Sequence, residues 1–194
     1  MAKTGLTDLF YCPITVTETN GVQTETLGTG KVLGAAIRVS ESIQTAEAKM
    51  YANNTVVESV KQFQSGELTV EFDHISDETY AEIHGATVDT EDGDVIDAAN
   101  DNPPFVRVGT IITEVKNGVP KYRSVVYLKA QFRNPNEESR TKGENLEFTG
   151  FTEVADLMLN ADKNWRRFKR HNTYAEALAY VKKHVNFPVE GGGA

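Results

Sequence analysis

A chain of 194 residues with one cysteine, Cys12, cannot form an internal disulfide, so its fold must rest on packing and hydrogen bonds. Within LFYCPITVT (9–17) that thiol reads as a buried apolar group rather than a nucleophile. Long apolar runs are missing too. None approaches the roughly 20 residues that a membrane-spanning helix needs. The opening MAKTGLTDLFYCPITV has no apolar stretch of the kind secretion signals carry. The expectation is a protein made in the cytoplasm and soluble there until used. Positive charge is scarce, with 20 Lys and Arg against 28 Asp and Glu. The net charge of -8 repels phosphate and argues against nonspecific nucleic-acid binding.

Motifs that carry chemistry are also lacking. LGTGKV (27–32) has the look of a phosphate loop, but Glu25 stands where such a loop needs its first glycine and Val32 where it needs Ser or Thr. There is no Gly-x-Ser-x-Gly elbow and no CxxC pair. GELTVEFDHISDETYAEIHG (66–85) gathers Asp73, His74, Asp77, Glu78, Glu82 and His84, yet His74 and His84 lack the HxxxH or HExxH spacing of a metal helix. Asp77 and Glu78 suit the first turn of a helix capped by Ser76 and ended by Gly85. An enzyme working through Asp73, His74, Asp77 and His84 is the catalytic alternative. TVDTEDGDVID (87–97) is acidic around Asp92-Gly93, but a calcium loop would place an oxygen ligand where Val88 stands; a hairpin turn fits better. No catalytic residue, cofactor or metal site is assigned.

What the chain does contain is strand pattern. In GELTVEFDH, Leu68, Val70 and Phe72 alternate with Thr69, Glu71 and Asp73. LFYCPITVT is β-prone, with Pro13 marking an edge or bend. ETNGVQTETLGTG (18–30) reads as a loop. In KVLGAAIRVS (31–40), Leu33, Ala35, Ile37 and Val39 form the expected core face. TAEAKMYANNTVVESVKQF (45–63) has no clean period and reads as a long structureless hairpin or extended loop, a length that suggests function. PFVRVGTIITEVKNGVPKYRSVVYLKAQF (104–132) is a strand pair turning at Asn117-Gly118, with Val106, Val108 and Ile112 matched to Tyr122, Val126, Leu128 and Phe132. A polar loop (133–145) leads to further strand character in LEFTGFTEVADLML (146–159).

From Asn160 the charge changes sign, with seven basic residues against three acidic ones. NWRRFKRH (164–171) interleaves Arg and Lys with Trp165 and Phe168, residue types that can bind nucleic acid. Both rings can equally be core anchors, and a basic patch meeting the acidic flank of a neighbouring copy explains the asymmetry more simply. Thr173 and Glu176 open a helix over YAEALAYVKKHV, with Tyr174, Leu178, Val181 and Val185 on one face. EGGGA is a floppy tail. The division expected is a β domain over 1–159, with the basic segment, helix and tail of 160–194 packed on it.

Three stretches together resemble a known family: GLTDLFYCPIT; KMYANNTVVESVKQFQSGELTVEFDHISDETYAEIHG; and KYRSVVYLKAQFRNPNEESRTKGENLEF. They are similar to the major tail protein of long-tailed, non-contractile bacteriophages. The matching positions include Gly5, Leu6, Tyr11, Pro13, Ile14 and Thr15, then Tyr51, Ala52, Glu58, Phe63, Gly66 and Thr69, then Asp73, Ser76, Glu78 and Gly85. Tyr127, Lys129, Phe132, Pro135, Glu137, Glu138, Thr141, Lys142, Gly143, Glu147 and Phe148 continue the match to about residue 150. Asn53 and Asn54 depart from it where acids are commoner.

The resemblance implies a mainly β fold with one or two flanking helices: a tail-tube β-sandwich or barrel contributing strands to a hexameric ring. It implies a structural virion protein, no enzyme, whose stacked rings form a conduit for DNA delivery. Implied partners are copies of itself, the tail terminator and distal tail proteins, and a tape measure protein in the lumen; DNA passes without specific binding, and no membrane is involved. The implied location is the virion tail, after assembly in the host cytoplasm. Met50, Tyr51, Asn53, Asn54, Val56, Val57, Arg166 and Arg167 are the expected contacts between subunits and rings. A tail terminator, connector or decoration subunit is the alternative within virion proteins.

Overall fold

The computed structural model describes residues 2–52, 55–89, 91–134 and 150–188. Asn53, Asn54, the polar loop from residue 135, the start of the strand segment up to 149 and the EGGGA tail lie outside the described residues. In chain order come β1 (Ala2–Leu6), β2 (Leu9–Thr19), β3 (Val22–Leu27), β4 (Lys31–Gly34), β5 (Ala36–Ala52) and β6 (Thr55–Phe72). Helix α1 (Asp77–His84) and a short ladder of β7 (Thr87–Val88) with β8 (Val95–Ile96) follow. The chain then forms β9 (Phe105–Lys116), β10 (Val119–Phe132), β11 (Phe151–Leu157), β12 (Arg166–His171) and α2 (Tyr174–His184). The fold is mainly β, with two helices among the described residues. Neither is long and apolar enough to cross a membrane.

The β9–β10 hairpin is the spine. Asn117 and Gly118 have φ of 52° and 78°, the left-handed pair of a type I′ turn, whose twist matches that of the strands it joins. One end of the spine is flanked by β2 and β11, the other by β1 and β12. The ladder runs β3-β2-β9-β10-β11-β6-β5. It then returns to its start, because β4 and β5 act as one kinked strand: β4 lies on β2, and β5 lies on β6. Two bonds pin the kink: Asp73 N–H donates to the Ala35 carbonyl at 3.2 Å, and Ala35 N–H donates to the Asp73 carboxylate at 3.0 Å. Closing the ladder removes the edges that an open sheet would expose there.

The inner face holds the main core. Leu9, Tyr11, Leu68, Val70, Phe72, Val106, Val108 and Phe132 are buried there, together with Ile83 of α1. Outside, α2 lies across β2, β9 and β10 through Ala177, Val181 and Val185, which meet Phe10, Cys12 and Ile111. Gly109 permits this approach: a Cβ there would sit 2.7 Å from a Val181 methyl. Both expected caps are present. Ser76 accepts the Thr79 N–H, with Gly85 at φ 76°, and Thr173 and Glu176 form the complete reciprocal box.

Several expectations are corrected. The 18–30 loop contains a strand: Asn20 and Gly21, at φ 54° and 76°, make a second left-handed turn that folds β3 onto β2. Pro13 marks neither an edge nor a bend. It pairs with Val106 on one side and sits where the other flank of β2 passes from β4 to β3, so its missing N–H breaks no ladder. In 31–40 a register shift between Ala36 and Arg38 inverts the phase. Ala36 and Val39 therefore pack on the core, while Ile37 is exposed. A bulge between Tyr127 and Ala130 does the same in β10. Val125, Tyr127, Ala130 and Phe132 face the main core, whereas Tyr122 turns to the α2 side.

Candidate assembly surfaces

Residues 45–63 are not structureless. Thr45 pairs with Phe63, and the ladder continues through Ala48↔Val60 and Met50↔Glu58 to Ala52↔Thr55. Eight residues of β5 thus extend past the closed ladder, about 26 Å at the usual strand rise. The base is anchored by Phe63, stacked on Trp165 with ring centroids 5.4 Å apart. Beyond it every described side chain between 46 and 62 is exposed.

The arm has two unlike faces. Alternation puts Ala46, Ala48, Met50 and Val60 on one side, with Gln62 and Glu58 opposite Ala46 and Met50. The other carries Glu47, Lys49, Ser59 and Lys61, with Glu47 3.1 Å from Lys49 and 3.8 Å from Lys61. The charged face is satisfied within the hairpin; the more apolar face has no cover among the described residues. Met50 is 60% exposed and Val60 54%. Val57, the extra residue of a bulge opposite Met50 and Tyr51, is 55% exposed. Of the expected contacts, Met50 and Val57 therefore stand in solvent. Tyr51 and Val56 pair as strand residues, and Asn53 and Asn54 lie outside the described residues.

The basic segment, in which no strand was expected, is β12. Among the described residues it pairs only with β10, which leaves its far side an open edge there. Arg166 is committed internally. It bonds Glu41, which also accepts the Tyr127 hydroxyl at 2.9 Å, and covers the Trp165 ring at 4.4 Å. Burial and Glu41 push the Tyr127 phenol well above its ordinary range. Arg170 pairs with the buried Glu114 at 2.9 Å, and Arg123 meets the same carboxylate at 3.2 Å. Trp165 packs on the core, but Phe168 is exposed between Arg166 and Arg170. Arg167 is exposed, with its guanidinium 3.4 Å from His184 Nδ1.

Between β12 and α2 lies an open groove of about 600 Å³, bordered by Lys169, Arg170, His171, Glu176, Tyr180 and Lys183. The Tyr180 ring stands between those of His171 and His184, at 5.3 and 4.4 Å. Burial, then Arg167, Arg107 and Lys183, hold the His184 pKa below its ordinary 6.5; burial and Lys169 lower that of His171.

The Asp/His stretch is scattered by the fold. His74 is exposed, 3.0 Å from Asp73, and this contact, with the Ala35 N–H, lowers the Asp73 pKa. His84 is buried, its Nε2 3.4 Å from Glu153 and its ring beside Tyr80. Glu82 accepts the buried Tyr11 hydroxyl and pairs with Lys31 at 2.9 Å, tying α1 to β2 and β4. Among the described residues no group of three His, Cys, Asp or Glu side chains could hold a metal ion. Cys12 is fully buried, and desolvation pushes its thiol up to about 11, so it is not an activated thiolate.

One charged pair gave no sequence signal. Lys129, at the β10 bulge, is buried with its Nζ 3.3 Å from Glu25 and 4.5 Å from the centre of the Phe105 ring. Only the β3 hairpin brings Glu25 to it.

A scan against family models finds none that matches this chain, and a search of curated proteins finds no match either.

Proposed function

We propose that this protein is a structural subunit whose copies assemble into stacked hexameric rings, forming the tail tube of a long-tailed bacteriophage. The observation that carries the reading is the β5–β6 arm. A hairpin reaching about 26 Å past its own core, with an ion-paired face and a more apolar one, leaves Ala46, Ala48, Met50 and Val60 uncovered among the described residues. A second copy supplies the cover, and the arm docks on the adjacent ring. The resemblance over residues 5–150 supports the same reading, as does a mainly β ladder with an open β12 edge suited to pairing between subunits. The tube conducts DNA without binding it specifically, since the net charge of -8 favours sliding over adhesion. Tape measure, terminator and distal tail proteins are the other partners, and the protein is not an enzyme.

Electron micrographs of concentrated purified protein test the reading: rings or tubes are expected. Deleting 48–60 should leave a folded protein that no longer polymerises, and tube formation unchanged by that deletion would refute the arm's role.

A further inference from the structure

The acidic 87–101 segment enters the β9–β10 spine at Phe105, whereas the basic groove runs beside the spine, from His171 level with Thr113 to His184, whose carbonyl accepts from Arg107 at 3.1 Å. Before Phe105, Gln131 donates to the Pro103 carbonyl at 2.7 Å, and Gly85 packs against Asn102. These contacts hold the 87–101 segment, whose β7–β8 ladder turns at Asp92-Gly93. It carries Asp89, Glu91, Asp92, Asp94, Asp97 and Asp101 and no basic residue. Asp97 accepts the Tyr80 hydroxyl and Asp101 caps Ala98. Glu91, Asp92 and Asp94 meet no cation among the described residues. On the basic side, Tyr122 pairs with His171, and Lys121 bonds Asn172 at 2.6 Å. There the β12–α2 groove opens, with Lys169 and Lys183 on its border. Neither lysine meets a carboxylate among the described residues.

Within one chain none of the turn's carboxylates pairs with Lys169 or Lys183 among the described residues. We infer that the β12–α2 groove receives the acidic β7–β8 turn of a second copy, giving a head-to-tail contact. Such a contact uses different surfaces on the two partners and therefore propagates into rings or stacks instead of stopping at a dimer. Lys169 and Lys183 face Asp92 and Asp94 of the incoming turn, and the exposed Ile96 beside them adds apolar area. Opposed potentials also fix the polarity of addition, since turn meets turn and groove meets groove with like charge. This inference rests on the self-assembly reading and adds a second contact to that made by the arm.

Charge reversal tests it. Lys169→Glu with Lys183→Glu makes a protein acidic at the turn and the groove; Asp92→Lys with Asp94→Lys makes one basic at both. Each variant alone should raise the concentration needed for assembly more than about tenfold, read by sedimentation and negative-stain microscopy. An equimolar mixture should assemble near the wild-type threshold, because each turn then finds an opposite groove. All four positions are at the surface, and circular dichroism checks the fold. Variants that assemble like wild type, or a mixture as inert as its components, would overturn the inference while leaving the tube reading intact. Wild-type protein that never assembles would overturn both.

Discussion

Residues 66–72 and 55–62 belong to one continuous strand, β6, yet they obey different rules. In the lower part Leu68, Val70 and Phe72 are fully buried. In the upper part Val57 and Val60 are more than half exposed. Strand β5 pairs along both, and the lower part pairs with β11 as well. The difference lies in what covers the faces. The lower part has the rest of the closed ladder on its inner side; the described side chains of the arm between 46 and 62 are exposed on both. Strand geometry is therefore satisfied locally, whereas burial needs a third element, which the described residues do not supply for the arm.

This contrast can be broken by substitution. Phe72→Ala should have the largest effect on stability, about 3–5 kcal/mol, because it opens a cavity where neighbours can collapse only partly; chemical denaturation measures it. Glu25→Ala should cost about 3 kcal/mol by leaving Lys129 buried without its partner, and Glu25→Ala with Lys129→Met should recover much of that loss. Thr173→Ala should cost about 1 kcal/mol by removing the α2 cap. Met50→Ser with Val60→Thr should change unfolding by less than about 0.5 kcal/mol while abolishing assembly. Equal losses from the arm and Phe72 substitutions would erase the distinction between the two regions.

A smaller, pH-dependent effect sharpens the same contrast. The folded-state pKa of His184 lies below 6.5. The native state therefore resists protonation more than the unfolded chain does. The contribution is present above pH 6.5 and lost as pH falls through the folded value. His184→Gln should flatten that part of the thermal-midpoint profile, while the arm substitutions leave it unchanged.

How much could be read beforehand follows the same division. Asn117-Gly118, Asp92-Gly93 and the caps at Ser76 and Thr173 were legible because their signals lie within four residues of the structure they make. Asn20-Gly21 carries an equal signal, and TVT and VQT on either side of it are strand-compatible. The arm reads as a hairpin but not as a regular ladder, because its alternation of Ala46, Ala48 and Met50 with Glu47 and Lys49 is matched on β6 by Glu58 and Gln62 and is broken by the bulge at Val57. The basic run hid β12 because edge strands tolerate Arg and Lys, and charge in itself says nothing about pairing.

By itself, the sequence determined the turns, the helix ends and the alternation of Leu68, Val70 and Phe72, all governed by backbone torsions and side chains close along the chain. Tertiary structure alone decided the phase reversals at Ala36 and Tyr127, the closure of β4–β5 onto β2 and β6, the burial of Lys129 against Glu25, and the pairing of the basic segment with β10 beside α2. Each of these depends on strands far apart in sequence meeting in one register, and register is set by the packed ladder as a whole rather than by any residue within it.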